Sequence, residues 1–286
     1  MSGAGLWPLP RPEHKPADVG LLALDIDGTI ADNWPETISD RVKAAVGRAV
    51  ADPRLEMVLA TGRSAHSAIR VARGLGIDQG WAVCSNGSLT LQLDPTQADG
   101  YRIDDQVTFN PQPALEAMLR LLPEAWVAVE EIGVGFLVTE AYPVGELEGR
   151  IQVMPLADLA ARPATRVILR CNGRSPEEME RVVAAVEMPW VNYTFGWTGW
   201  LDLNPPGVSK ATALEALRSR LGVPPEGTVA IGDGTNDITM LSWASRGVVM
   251  GGARPEVLAA GSEVTGTVED DGAAWVIDNV LAGLAV

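Results

Sequence analysis

The chain has 286 residues, 47% of them hydrophobic, and a formal charge of −15. That is enough apolar material for a sizeable core and for two lobes, while the acidic balance argues against nucleic acid or anionic membrane as a partner, since both demand an exposed basic surface. A small phosphate ester stays open, because a local cluster of metal ion, lysine and backbone N–H groups binds an anion inside an acidic protein.

Residues 1–19 are rich in Pro and Gly and lack the charged start, apolar block and cleavage site of a signal peptide, so a loosely ordered leader is expected, with packing of Trp7 on a partner subunit as the alternative. From residue 20 the pattern alternates buried strand and amphipathic helix, as in a parallel sheet covered by helices. Strands are expected at 21–26, 55–60 and 81–84, with helices at 39–50, capped by Ser39, and 64–75, closed at Gly76. Each strand ends in a polar turn: Asp25-Ile26-Asp27-Gly28-Thr29, Thr61-Gly62-Arg63 and Ser85-Asn86-Gly87. Such carboxyl ends form the ligand crevice of open parallel sheets.

After Gly87 the rhythm becomes apolar–polar alternation at 89–93 and 101–109, the mark of half-exposed antiparallel strands, and a different domain is expected to begin. A helix at 113–122, paired strands across 126–139, a strand at 166–171, a helix at 175–186 opened by Ser175, Pro176 and Glu178, and a hairpin from 190–195 to 200–203 follow. Parallel-type units then return, with helices at 209–220 and 238–245 and strands at 228–231 and 247–250. The few apolar runs are too short to span a bilayer. Cys84 and Cys171 sit in apolar runs with no neighbours at metal-ligand spacing, which suggests buried free thiols and a cytoplasmic location.

Asp25 and Asp27 leave a strand end one residue apart, so their side chains start on one face. Two carboxylates in one cleft repel unless a cation sits nearby, which suits a hard metal; alone, the same residues also fit a strand closing in an Asp-Gly turn. Asp233 and Asp237, in Gly232-Asp233-Gly234-Thr235-Asn236-Asp237, repeat the theme at a second strand end, where an ordinary turn with a helix cap is again the plain alternative. Lys210 falls in the first turn of a helix, the end that the dipole makes unfavourable for a cation. It can reach a phosphate there, or remain a solvated surface lysine.

Asp25-Ile26-Asp27-Gly28-Thr29, Thr61-Gly62-Arg63, Lys210 and Gly232-Asp233-Gly234-Thr235-Asn236-Asp237, in this order, resemble the four motifs of the haloacid dehalogenase superfamily, and the chain is similar to its Cof-like phosphatases with a type IIB cap, which also carry Ser-Asn-Gly before the cap. Ala211 stands where that family usually has Gly, and Gly252 where it often has Asn. The resemblance implies an α/β fold: a Rossmann-like parallel-sheet core with helices on both faces, from residues 20–88 and 204–286, and an inserted α+β cap, residues 89–203, that selects the substrate. It implies Asp25 as nucleophile forming an aspartyl-phosphate, Asp27 as general acid and base, and Mg²⁺ on the carboxylates of Asp25 and Asp233 and the backbone carbonyl of Asp27. Thr61 and Lys210 would hold phosphoryl oxygens, Asp237 would support Lys210 and the metal, and Gly62, Asn236 and Arg63 would complete substrate binding, an ion pair being equally open for Arg63. The expected reaction is hydrolysis of a small phosphate monoester, by class a sugar phosphate, in a monomer or homodimer. A sugar phosphomutase with the same nucleophile and a silent sugar-phosphate sensor are the alternatives. Trp34, Trp190, Trp197 and Trp200 are expected to pack in the core or between cap and core rather than to stack on a sugar.

Overall fold

The computed structural model describes residues 20–32, 37–185, 188, 191–196 and 199–284; the expected leader, Trp7, Trp34, Trp190 and Trp197 lie outside the described residues. In chain order the strands are β1 (Leu21–Leu24), β2 (Glu56–Ala60), β3 (Gly80–Cys84), β4 (Leu89–Leu93), β5 (Tyr101–Gln106), β6 (Trp126–Glu131) and β7 (Gly135–Val138). They continue with β8 (Arg150–Val153), β9 (Val167–Arg170), β10 (Asn192–Phe195), β11 (Trp200–Asn204), β12 (Thr228–Gly232), β13 (Arg246–Val249) and β14 (Glu263–Val264). The helices are α1 (Asp40–Ala51), α2 (Ala65–Gly74), α3 (Gln112–Leu121), α4 (Leu156–Ala160), α5 (Pro176–Val183), α6 (Lys210–Leu221), α7 (Ile238–Trp243), α8 (Pro255–Leu258) and α9 (Gly272–Leu284).

Among the described residues the strands form two sheets. The first has the order β14-β13-β12-β1-β2-β3-β4-β5, and the second β10-β11-β9-β6-β7-β8. From β14 to β3 all neighbours run parallel, and β1 and β12 are buried along their whole lengths. Alternation along β1 divides its side chains: Leu22 and Leu24 join the cluster with α1, α2 and α9, while Leu21 and Ala23 join the one with α6 and α7. Helices therefore cover both faces, as parallel sheets require.

The expectation that the inserted unit starts at residue 89 is corrected. β4 and β5 extend the first sheet: β4 zips antiparallel to β3 from Cys84 opposite Leu89 to Gly80 opposite Leu93, and β5 pairs with β4. Their alternating pattern announces antiparallel pairing, but it is blind to which sheet the strands join, and the tight turn at Ser85–Gly87 hands them to the nearest edge. The second sheet thus draws on the chain from β6 to β11. It is antiparallel except where β8 lies parallel to β7.

Among the described residues, helices α3, α4 and α5 pack on one face of the second sheet. Val127, Val129, Leu137, Val167, Leu169, Leu201 and Leu203 point to α3, α4 and α5. The intervening positions, including Ala128, Phe136 and Ile168, with Trp200 packed on them, form the opposite face. By the same alternation that face also carries Glu130, Arg166 and Asp202.

Candidate active site

The carboxyl ends of β1, β2 and β12 open into a cleft of about 1050 Å³ whose other wall is the helix-free face of the second sheet. Asp25 follows β1 directly, and its N–H donates to the Ile231 carbonyl of β12 at 3.0 Å, which fixes the two strand ends side by side. The acids of the two strand ends converge. Asp25, Asp233 and Asp237 each offer a carboxylate oxygen within 4.8 Å of the others.

Lys210 explains its own place at the start of α6. Its side chain is fully buried, and Nζ donates to Oδ1 of Asp25 at 2.5 Å and to Oδ1 of Asp237 at 2.6 Å. Two carboxylates outweigh the helix dipole at this short range. Burial works against the ammonium charge, and Asp237 and Asp25 overcome it, so Lys210 is held above its ordinary pKa. The helix itself begins with a reciprocal cap, Thr212 N–H on Ser209 Oγ at 3.3 Å and Ser209 N–H on Thr212 Oγ1 at 2.9 Å.

Asp237 is saturated by the protein. Its Oδ2 accepts from the N–H groups of Asp233 at 3.0 Å and Gly234 at 2.8 Å, which shapes the turn that presents Asp233. Asp233 accepts from the Thr29 hydroxyl at 3.1 Å and packs on Gly28, whose φ of +71° and contact with that carboxylate leave no room for a Cβ. Burial, then Asp237, pushes the Asp25 carboxyl well above the usual range, against the pull of Lys210. Burial and Asp237 likewise push Asp233 up to about 7. One buried and one half-buried carboxylate that repel each other and face a cleft are the donor set of a hard divalent cation, with Asp25 and Asp233 the pair left to hold it.

Asp27 and Arg63 meet at the cleft. Arg63 Nε donates to Asp27 Oδ2 at 2.9 Å and Nη2 to Oδ1 at 2.5 Å, a two-point ion pair at the cleft wall. Thr61 is fully buried behind the wall, and its hydroxyl accepts from the Arg63 N–H at 3.1 Å. Gly62, Arg63 and Asn236 line the cleft with Asp25, Asp27 and Asp233, whereas Thr61, Lys210 and Asp237 stand behind them.

Several residues here escape sequence reasoning. Asn236 donates to Asn86 at 3.1 Å, Asn86 donates to Asn204 and to Thr194 at 3.3 Å each, and Asn204 donates to the Ser85 carbonyl at 2.9 Å. Asn86 holds φ at +54° and Ser85 at +50°, a conformation asparagine tolerates better than most residues. Glu130 of β6 accepts from the Ala65 N–H at the start of α2 at 3.0 Å and from the Ser85 hydroxyl. The Ser-Asn-Gly triplet is the one sequence signal that pointed toward this junction. Trp200 lines the cleft, packed against Tyr142.

The haloacid dehalogenase-like hydrolase family model matches residues 22–115 and 149–277. Phosphatase YwpJ of Bacillus subtilis is 26% identical over 295 residues, covering 91% of this chain and 99% of that one. A phosphoglycolate phosphatase of Aeropyrum pernix is 26% identical over 266 residues, 93% and 95% of the two chains. In fold, the chain resembles the solved subclass IIB sugar phosphatase BT4131, with a TM-score of 0.74 at 22% identity over 91% of this chain and 98% of that one.

Proposed function

Since this chain belongs to the haloacid dehalogenase-like hydrolases and is a phosphatase, we propose that it hydrolyses a small phosphate monoester, by class a sugar phosphate, through an aspartyl-phosphate on Asp25. The observation that carries this reading is the buried Lys210 ammonium seated between Asp25 and Asp237, beside Asp233, at the strand ends that open on the cleft.

Asp25 attacks phosphorus in line and the alcohol departs, which divides the hydrolysis into two displacements. Lys210 and the Thr61 hydroxyl take phosphoryl oxygens and balance charge as it develops, with the Gly62 backbone and the second Asn236 N–H completing the cradle. Asp237 keeps Lys210 aimed at Asp25. The Asp25 and Asp233 carboxylates and the Asp27 carbonyl would hold Mg²⁺, which would supply Lewis-acid charge at the phosphoryl group.

Asp27 protonates the leaving oxygen and later takes a proton from the water that cleaves the acyl phosphate. A protonated carboxyl loses one of the two acceptors that the Arg63 fork now uses, so Arg63 leaves Asp27 for a substrate oxygen as the ester enters. The inserted unit, from the helix-free sheet face, reads the leaving group, because the strand ends of the first sheet contact only phosphate. The buried free thiols of Cys84 and Cys171 fit a reducing cytoplasm, and among the described residues no helix is long and apolar enough to cross a membrane.

Asp25→Asn tests the nucleophile, since an amide cannot form the acyl phosphate. Release of free phosphate from a panel of sugar, polyol and nucleotide phosphates should fall by about a thousandfold or more with the fold intact. Undiminished turnover in folded Asp25→Asn protein would sink the mechanism.

A further inference from the structure

The helix-free face of the second sheet presents a donor, an acceptor and an aromatic ring to the cleft. Arg166 lies immediately before β9; Trp200 and Asp202 alternate on β11, and Thr194 of β10 sits opposite Asp202. Arg166 Nε donates to Asp202 Oδ1 at 2.8 Å, and the Trp200 indole N–H donates to the same oxygen at 3.3 Å. Tyr142 meets the Trp200 ring edge-on, with centroids 6.3 Å apart and planes at 81°. The ring is held from two sides.

The unused atoms carry the inference. A guanidinium has five N–H donors and a carboxylate two acceptor oxygens. Among the described residues Arg166 donates through Nε alone, and Oδ2 of Asp202 accepts from no side chain or backbone group, although both residues are 8% exposed. Arg63, Arg70 and Arg170 are instead clasped at two points by Asp27, Glu148 and Glu146. Burial opposes the charge on Arg166 and Asp202 more than restores it, so the cation persists. Nearly buried donors and an acceptor, left open side by side on a cleft, complement a ligand that can play both parts.

Charge selects among such ligands. A second phosphate or carboxylate on the leaving group would find Arg166 but also meet Asp202, and among the described residues lining the cleft eight carboxylates face four guanidinium groups. A vicinal diol is neutral: one hydroxyl donates to Asp202 Oδ2, its neighbour accepts from Arg166 Nη, and the C–H face of the ring lies on Trp200.

We propose that Arg166, Asp202 and Trp200 form a diol-reading subsite that selects a neutral, polyhydroxylated leaving group over one bearing a second phosphate or carboxylate. This rests on the phosphatase reading above and assigns its specificity to three residues that the resemblance to known motifs leaves unassigned.

The test compares kcat/KM, with Mg²⁺, on glucose, mannose and fructose 6-phosphates, on cyclohexylmethyl phosphate as a ring without hydroxyls, and on fructose 1,6-bisphosphate and phosphoglycolate. Wild type should prefer the best hexose 6-phosphate over the other three by roughly tenfold or more. Asp202→Asn and Arg166→Lys should raise KM for that hexose ester, with a loss exceeding the loss on cyclohexylmethyl phosphate by roughly tenfold, and Asp202→Asn should narrow the gap to the bisphosphate. If those variants do not fold, Trp200→Phe, which keeps an aromatic ring but removes the indole N–H and part of the stacking face, should show the same selective loss. Equal losses on the hexose and cyclohexyl esters, or a wild-type preference for the bisphosphate or phosphoglycolate, overturn the subsite. Turnover of cyclohexylmethyl phosphate with no advantage to any hexose overturns it alone; release of phosphate from no ester at all overturns the phosphatase reading and the subsite with it.

Discussion

Lys210 is a cation at the wrong end of a helix until its neighbours are counted. Asp25 and Asp237 take two of its three N–H donors with full burial, so its position follows from pairing rather than from helix preference. Glu130 is the converse, a buried carboxyl with no ion-pair partner among the described residues, held by the Ala65 N–H and the Ser85 and Thr165 hydroxyls. Burial raises its pKa, while the Ser85 and Ala65 hydrogen bonds and the charge of Arg166 only partly oppose this. An acid whose folded pKa lies above its unfolded value contributes stability that is present below the unfolded pKa and lost as pH rises through the folded one. The wild-type protein should therefore lose folding free energy relative to Glu130→Gln as pH climbs above about 4.3, the ordinary glutamate value. Urea denaturation of both proteins across that range measures the difference, and parallel pH curves would refute it.

At the scale of elements, the third strand end and α6 are fitted to each other through a glycine. Gly87 has φ of +103°, and a Cβ there would strike the carbonyl of Ser209, the cap of the helix that carries Lys210. Gly87→Ala should push the start of α6 away from β3, costing about 1–3 kcal/mol of stability from the strained φ and the contact, and phosphatase activity should fall more steeply than stability does. Chemical denaturation beside a turnover assay separates the two, and activity that merely tracks the folded fraction would count against the coupling. Elements with a two-sided pattern were legible: Ser39 and Ser175 cap α1 and α5 where their sequence signals place them. Elements without one were not. β8 has four exposed residues and hence no buried face to read, and α9 is apolar on nearly every side because α1 and the sheet enclose it.

Over the whole molecule, the acids and the lysine of the site were legible because each ends a strand or opens a helix, and parallel topology gathers such ends at one edge. Arg166, Asp202 and Glu130 were not, since nothing local tells which face of a strand will be left without helices; that depends on the order of β9, β6 and β11 in the finished sheet. The acidic edge also bears on overall stability. Asp25 and Asp233 repel in the metal-free protein, so Mg²⁺ at a hundred times its dissociation constant should stabilise the fold by about 2.7 kcal/mol, seen as a higher melting temperature, reversed by chelator and lost in Asp233→Asn. A melting temperature indifferent to Mg²⁺ would remove the cation from the proposal. The amide series from Asn236 through Asn86 to Asn204 has a further property: each amide donates to the carbonyl oxygen of the next, and Asn204 turns its own NH₂ back to the Ser85 carbonyl and the Ser88 hydroxyl. Reversing the Asn86 amide sets nitrogen against nitrogen at Asn236 and oxygen against oxygen at Asn204. The seam between the sheets is therefore keyed at Asn86, which fits between its two neighbours in one orientation only.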